Sequence, residues 1–468
     1  MPSSRKDIAS RSRELKKELG LGNLVLTQIL FVMGLSWVGT AAKLGASHVM
    51  FWLLAAGLFY VPSAVVVVHL SRKYPLEGGL YQWAKIGFGE RTGFLVAWNL
   101  WIYAMILMSS IGVQTAANLA YAIGPQAAWM VESKWFIAGG GCLVLGALAA
   151  LSAIGLGAGK WLHGGGGAAL LLVLSAMVIL PALDWLRGGH AQARPFSLAV
   201  PALTLLNLNI LGKLGFGALG GFEYVAIFAG ECKDPARLIG RSVILAAPVI
   251  AALFILSTGS ALWFVGDRNI DLISPVSQVL SAAARPFGFG ARIASTVIVL
   301  VLGMRIAQTS VNFSATARLP MVAAWDRLLP EWFTRLHPRW KTPAHSIAFV
   351  GAMTAALGVA GNLGVASQEA WQLFENAAGI YYALAYLVMF ALPLAGPAGA
   401  GVKIAAASGF AMTLLYVILS IFPIIEVASW WSFGGKIAGV VLGGNAAGAA
   451  IFELARRRAR RGWPALPN

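Results

Sequence analysis

Long apolar runs, each closed by a short polar or basic segment, recur along the whole chain. Their lengths match the roughly 20 residues that a helix needs to cross a bilayer core. They predict twelve membrane-spanning helices, over about residues 22–44, 48–70, 92–122, 135–155, 163–183, 203–229, 242–265, 290–317, 344–361, 370–392, 402–425 and 431–454. The runs do not alternate apolar with polar, which excludes a transmembrane β-barrel. Two of them are interrupted near their middles. The first carries Gly34-Leu35-Ser36-Trp37-Val38-Gly39, and the sixth carries Phe216-Gly217-Ala218-Leu219-Gly220-Gly221-Phe222-Glu223. A glycine weakens a helix by roughly 1 kcal/mol relative to alanine, and a carboxylate at bilayer depth is costly. Broken helices in a membrane are tolerated where the freed backbone lines a cavity. Two breaks five spans apart are also the spacing expected of an inverted five-helix repeat.

Composition places the chain almost wholly in the membrane. Of its 468 residues 58% are hydrophobic and only 11% charged, with a mean hydropathy of +0.75. A soluble surface needs roughly 25% charged residues. The polar start, Met1–Gly20, does not read as a signal peptide. A net charge of +17 would suit a nucleic-acid partner, but the distribution argues against one. Taking the loops alternately, 25 of the 35 Lys and Arg residues fall on one side and 7 on the other, and Lys213, Arg305 and Lys436 lie within helices. That asymmetry places both termini in the cytoplasm and supports an even number of spans. The expected organisation is a cytoplasmic tail (1–21), a first five-helix unit (22–183), a second (203–392), two further helices (402–454) and a basic cytoplasmic tail (455–468). The tail arginines read as a stop signal for the last helix, with anionic lipid as the alternative contact. Gly164–Gly167 suggests close helix packing. Cys142 and Cys232 lie in different environments and are not expected to pair.

The residues after the second break resemble a known family. Gly221-Phe222-Glu223 with Ala229-Gly230-Glu231-Cys232-Lys233-Asp234-Pro235-Ala236-Arg237 is similar to a run in the amino acid–polyamine–organocation superfamily of transporters. Ala317-Arg318-Leu319-Pro320, Asp326-Arg327-Leu328-Leu329-Pro330 and His337-Pro338-Arg339-Trp340-Lys341-Thr342-Pro343 look like that family's loop after its eighth helix. Leu19-Gly20-Leu21 leading into Gly34 looks like its first helix. The resemblance implies an all-α membrane fold of twelve helices, with an inverted five-plus-five repeat (LeuT-like), broken helices one and six, and two C-terminal helices. It also implies alternating access for an amino acid or related amine. In such proteins the break in helix one offers N–H groups to the substrate carboxylate, and that in helix six offers carbonyls to its ammonium. The polarity of helix ends agrees with that arrangement. The chain departs from the family pattern in having Gly34-Leu35-Ser36 for the usual Gly-Ser-Gly, and in carrying no lysine midway along helix five, where Ala168 to Met177 is uncharged.

The candidate substrate-binding residues are Met33, Gly34, Leu35, Ser36 and Trp37 on helix one and Gly217, Ala218, Gly220 and Phe222 on helix six, with Trp101 and Arg305. Trp98 and Tyr103 of helix three are also placed at the site, and the family's helix-three pattern implies that Trp101 faces the substrate. Glu223 and Glu375 are the candidates for coupling or gating, since intramembrane carboxylates are functional by default. Arg305, near the middle of helix eight, needs a partner: either a structural ion pair or a carboxylate on the substrate. Lys213 is expected to snorkel towards the interface. Thr309 and Ser310 are the only hydroxyls considered for a sodium site, and such hydroxyls more often bond their own backbone.

These readings point to a secondary transporter in a prokaryotic inner membrane rather than an enzyme. No His-Glu-x-x-His or Gly-x-Ser-x-Gly pattern occurs, and neither a cofactor nor a metal is expected. A channel is the other rival, but the chain has no tandem filter repeat. Many aromatics and few charges favour a neutral or apolar amino acid, with an acidic amino acid or amine as the alternative. The coupling ion is expected to be a proton, or the cycle an exchange. Lipid is the expected surround, and a homodimer is compatible with the chain.

Overall fold

The computed structural model describes residues 20–74, 79–154, 156–189, 195–200, 202–221, 235–287, 291–319, 329–340 and 342–460. Among them every regular element is helical. The first span is two pieces, α1 (Leu21–Val32) and α2 (Ser36–Ala42). There follow α3 (Gly45–Lys73), α4 (Gly79–Phe88), α5 (Glu90–Ile123), α6 (Lys134–Ile154) and α7 (Leu156–Leu186). The second broken span opens with α8 (Leu205–Gly212), which widens into a turn over Lys213–Ala218. The remainder is α9 (Pro235–Phe264), α10 (Pro275–Phe287), α11 (Ala291–Thr316), α12 (Ala344–Gly361), α13 (Ser367–Ala395), α14 (Ala400–Leu419) and α15 (Trp430–Arg460).

Ten of the described helices contain stretches long and apolar enough to cross a membrane. The other two expected spans are the interrupted ones, and the course of the second beyond Gly221 lies outside the described residues, as do Phe222, Glu223 and Cys232. Helices α3, α7, α13 and α15 extend a few residues past their expected ends, because polar first and last turns carry no hydropathy signal, whereas α14 stops at Leu419, six residues short of the expected 425, ahead of Pro423. The Gly164–Gly167 run lies about two turns inside α7. A methyl built on Gly166 would collide with Ala307, so α7 and α11 approach closely there.

In lipid there is no hydrophobic force between helices, so contact depends on close packing of small residues and on aromatic side chains. Leu143, Ile244, Ile404 and Leu442 point outward and present an apolar exterior. Inside, α13 runs along both α5 and α14, α9 lies on α1, and α2 touches the widened turn of the second break. Phe59, Phe216, Tyr386 and Phe390 interlock, four of their contacts edge to face with ring centroids 5.2–6.0 Å apart and Phe59 stacked on Tyr386 at 6.1 Å. A methyl built on Gly112 of α5 would collide with the Ile137 carbonyl and lie 3.2 Å from Gly141 Cα. The two helix backbones therefore nearly touch.

Gly112→Val should lower the thermal midpoint of the detergent-solubilised protein, at a cost of roughly 1–3 kcal/mol for overpacking. Gly146→Val, at a position with nothing within 4 Å, should leave it unchanged. Equal midpoints for both variants, read by thermal-shift assay, would contradict the close approach of α5 and α6.

Candidate functional site

The two breaks meet. Helix α1 ends at Val32, where Met33 turns out of helical geometry (φ −72°, ψ 80°), and α2 restarts at Ser36. The Gly34 N–H bonds back to the Val32 carbonyl at 2.8 Å, and the Trp37 N–H to the Gly34 carbonyl at 3.2 Å. The first N–H groups of a helix have no partner within it, so the start of α2 offers donors at mid-span. In the second break Gly220 N–H closes on the Phe216 carbonyl at 3.1 Å. Gly221 then takes φ +117°, a region that disfavours L-residues, and donates its N–H to the Tyr386 hydroxyl at 2.8 Å. The carbonyls of a helix's last turn are likewise left open.

Trp37 joins the two breaks. A methyl on Gly34 would lie 2.7 Å from its Cδ1, and one on Gly217 would collide with the far edge of its ring. The indole thus rests on one glycine from each break. Beside it opens a cavity of about 440 Å³. Met33, Gly34, Ser36, Trp37, Gly217, Ala218, Gly220, Arg305 and Glu375 of the expected residues line it. Phe222 and Glu223 lie outside the described residues.

Two expected residues are elsewhere. Leu35 is 1% exposed and points into the apolar core. Trp101 stacks on Phe349 with centroids 5.8 Å apart, in a separate cluster with Met105 and Phe313. Trp98, its neighbour, donates its indole N–H to the Gly444 carbonyl on α15 at 2.9 Å. The reason is helical register. Residues two apart on a helix project roughly 200° apart, so Tyr103 faces the cavity where Trp101 cannot. Tyr103 lies flat on Tyr382, with centroids 4.5 Å apart and planes 10° apart, and Tyr382 touches Phe216. Together with Trp37 and Tyr416 they form a largely aromatic wall. Tyr103 was a candidate from the sequence. Tyr382 and Tyr416 carried no local signal, since α13 and α14 are regular helices there.

Charged residues border the same cavity. Glu375 accepts a hydrogen bond from the Ser36 hydroxyl at the first break, and it lies within electrostatic reach of both Lys213 and Arg305. Lys213 does not snorkel. It is 1% exposed, its ammonium donates to the Asn376 side-chain carbonyl, and it sits 5.8 Å from the centroid of the Tyr416 ring. Asn376 donates in turn to the Ser420 carbonyl at 2.8 Å. The widened turn that begins at Lys213 directs its side chain inward among α13 and α14, where an unpartnered ammonium would be costly. Thr309 bonds the Arg305 carbonyl at 2.8 Å, the local backbone bond expected of a hydroxyl on a membrane helix.

Comparison with known proteins agrees with this architecture. A family model described as "Amino acid permease" matches residues 20–397. An uncharacterised transporter of Legionella pneumophila is 25% identical, over 80% of each chain. The low-affinity putrescine importer PlaP of Escherichia coli is 26% identical, over 73% of this chain and 74% of its own. The crystal structure of MhsT in complex with L-phenylalanine superposes with a TM-score of 0.55 at 15% identity, covering 87% of this chain and 99% of that one. It shows the shared fold, the inverted-repeat membrane fold expected from the sequence.

If the Trp37 ring rests on Gly217, Gly217→Val should lower the thermal midpoint, and adding Trp37→Ala should recover part of the loss. Direct neighbours show a coupling of about 0.5–3 kcal/mol in such a cycle. Strictly additive losses would separate the two residues.

Proposed function

The chain belongs to the amino acid permease family and is a secondary transporter, and on that premise we propose that it carries a single amino acid through the cavity between its two breaks by alternating access. The observation that carries this reading is the shared cavity: both breaks, Trp37, Glu375 and Arg305 line one space of about 440 Å³. The substrate carboxylate takes the open N–H groups ahead of α2, and its ammonium takes the carbonyls that end the widened turn at Ala218. Its side chain lies along Trp37, Tyr103, Phe216 and Tyr382.

The aromatic wall supports the neutral or apolar side chain favoured by the composition. Arg305 supports the second reading, an acidic side chain. A diamine such as the putrescine named for the Escherichia coli relative finds less support, because Lys213 and Arg305 would repel it and Glu375 alone would attract it. Coupling runs through a proton carried by an intramembrane carboxylate, for which Glu223 and Glu375 are the candidates. The bacterial relatives and the basic-residue asymmetry support a place in the plasma membrane with both termini cytoplasmic. The chemistry is that of a carrier and calls for neither cofactor nor metal.

Uptake of a radiolabelled amino-acid panel into proteoliposomes tests the reading. An inward proton gradient should stimulate uptake, and Glu223→Gln should remove the stimulation. Uptake that ignores the gradient and needs only amino acid preloaded inside would replace symport by exchange. Linear, non-saturable flux would indicate a channel instead.

A further inference from the structure

Arg305 lines the cavity with its guanidinium unpartnered among the described residues. A guanidinium has five N–H donors and cannot shed its charge. Among the described residues no acceptor lies within hydrogen-bond or ion-pair distance of it, although Glu375 acts on it through space. Its own backbone is engaged, since its carbonyl holds the Thr309 hydroxyl at 2.8 Å. The side chain meanwhile belongs to the cavity wall.

The neighbouring charges do not balance it. Lys213 and Arg305 bring two positive charges, and Glu375 one negative charge already bonded to Ser36. Lys213 is further committed to Asn376. Away from bulk water an uncompensated cation is expensive and is found paired or facing a polar cavity. The described part of the site therefore carries one positive charge in excess, on a planar group suited to grip a carboxylate with two parallel bonds.

Resting on the amino-acid reading above, we infer that the cargo carries a second anionic group: it is an amino acid with a side-chain carboxylate, held by Arg305. The α-carboxylate is taken by the first break and the side-chain carboxylate by the guanidinium. The chain between them lies against Trp37 and Tyr382. The aromatic wall then covers methylenes and excludes water, which strengthens the ion pair. Lys213, held back by Asn376 and Tyr416, adds to the field without touching the cargo. Glu375 accepts the Ser36 hydroxyl at the break and acts on Arg305 only through space.

Equilibrium binding to the purified full chain in nanodiscs tests this, with L-glutamate, L-aspartate, L-glutamine, L-leucine and putrescine as probes. L-glutamate and L-glutamine differ in charge but hardly in shape. One of the two dicarboxylates should bind at least ~10-fold more tightly than L-glutamine, the range expected for hydrogen bonds to a charged group. Arg305→Gln should abolish that preference, with Arg305→Lys in between. Glu375→Gln should tighten dicarboxylate binding by removing a competing negative charge, and it tests the inference even where an Arg305 variant fails to elute as a monodisperse peak. Equal binding of L-glutamate and L-glutamine by the unaltered protein would overturn the inference and leave the amino-acid reading standing. So would an equal loss of both in Arg305→Gln, which would place Arg305 on the α-carboxylate. A dicarboxylate preference that appears only in Glu223→Gln would also overturn it, by giving Arg305 an internal partner. Binding of none of the amino acids would overturn both together.

Discussion

A helix broken inside a bilayer leaves backbone N–H and C=O groups with no lipid to satisfy them. The rest of this structure follows from that constraint. The breaks at Met33–Leu35 and Gly220–Gly221 are tolerable because both border one cavity, with Trp37 seated on Gly34 and Gly217. Tyr386 takes the Gly221 N–H, and Ser36 lends its hydroxyl to Glu375.

The same economy governs the charges. Lys213, Arg305 and Glu375 come from three elements distant in sequence, and Glu375 of α13 lies within electrostatic reach of the other two. None would be stable alone at that depth. Lys213 is secured by Asn376, whose amide is secured by the Ser420 carbonyl, so the ammonium is fixed by a chain of partners and not by a single ion pair. Charged groups, aromatic rings and both breaks thus border one cavity.

Much of this was legible in the sequence. Apolar run length located the spans, and paired glycines located both breaks, because a helix is a local structure whose interruption is written in local residues. Arg305 and Glu375 were legible because ionised residues in apolar runs are rare. What escaped was facing. Trp101 and Tyr103 sit on the same run, and hydropathy that is high all round a membrane helix does not say which of them turns inward; only packing against Phe349 and Tyr382 decides. Leu35 was misplaced for the same reason. Lys213 looked like a snorkelling residue because its partner, Asn376, is 163 positions away. Tyr416 closes the wall from a helix with no irregularity to mark it.

The central claim is that cargo occupies the cavity between the two breaks. Its most direct test is protection of a thiol introduced there. Gln308→Cys, on a background with Cys142 and Cys232 replaced by alanine, places the thiol on that wall. Its rate of modification by a small methanethiosulfonate reagent is then measured with and without transported amino acid. At ten times the dissociation constant about one-tenth of sites remain empty, so modification should slow about tenfold. An unchanged rate in a variant that still transports would place the cargo elsewhere and contradict the account.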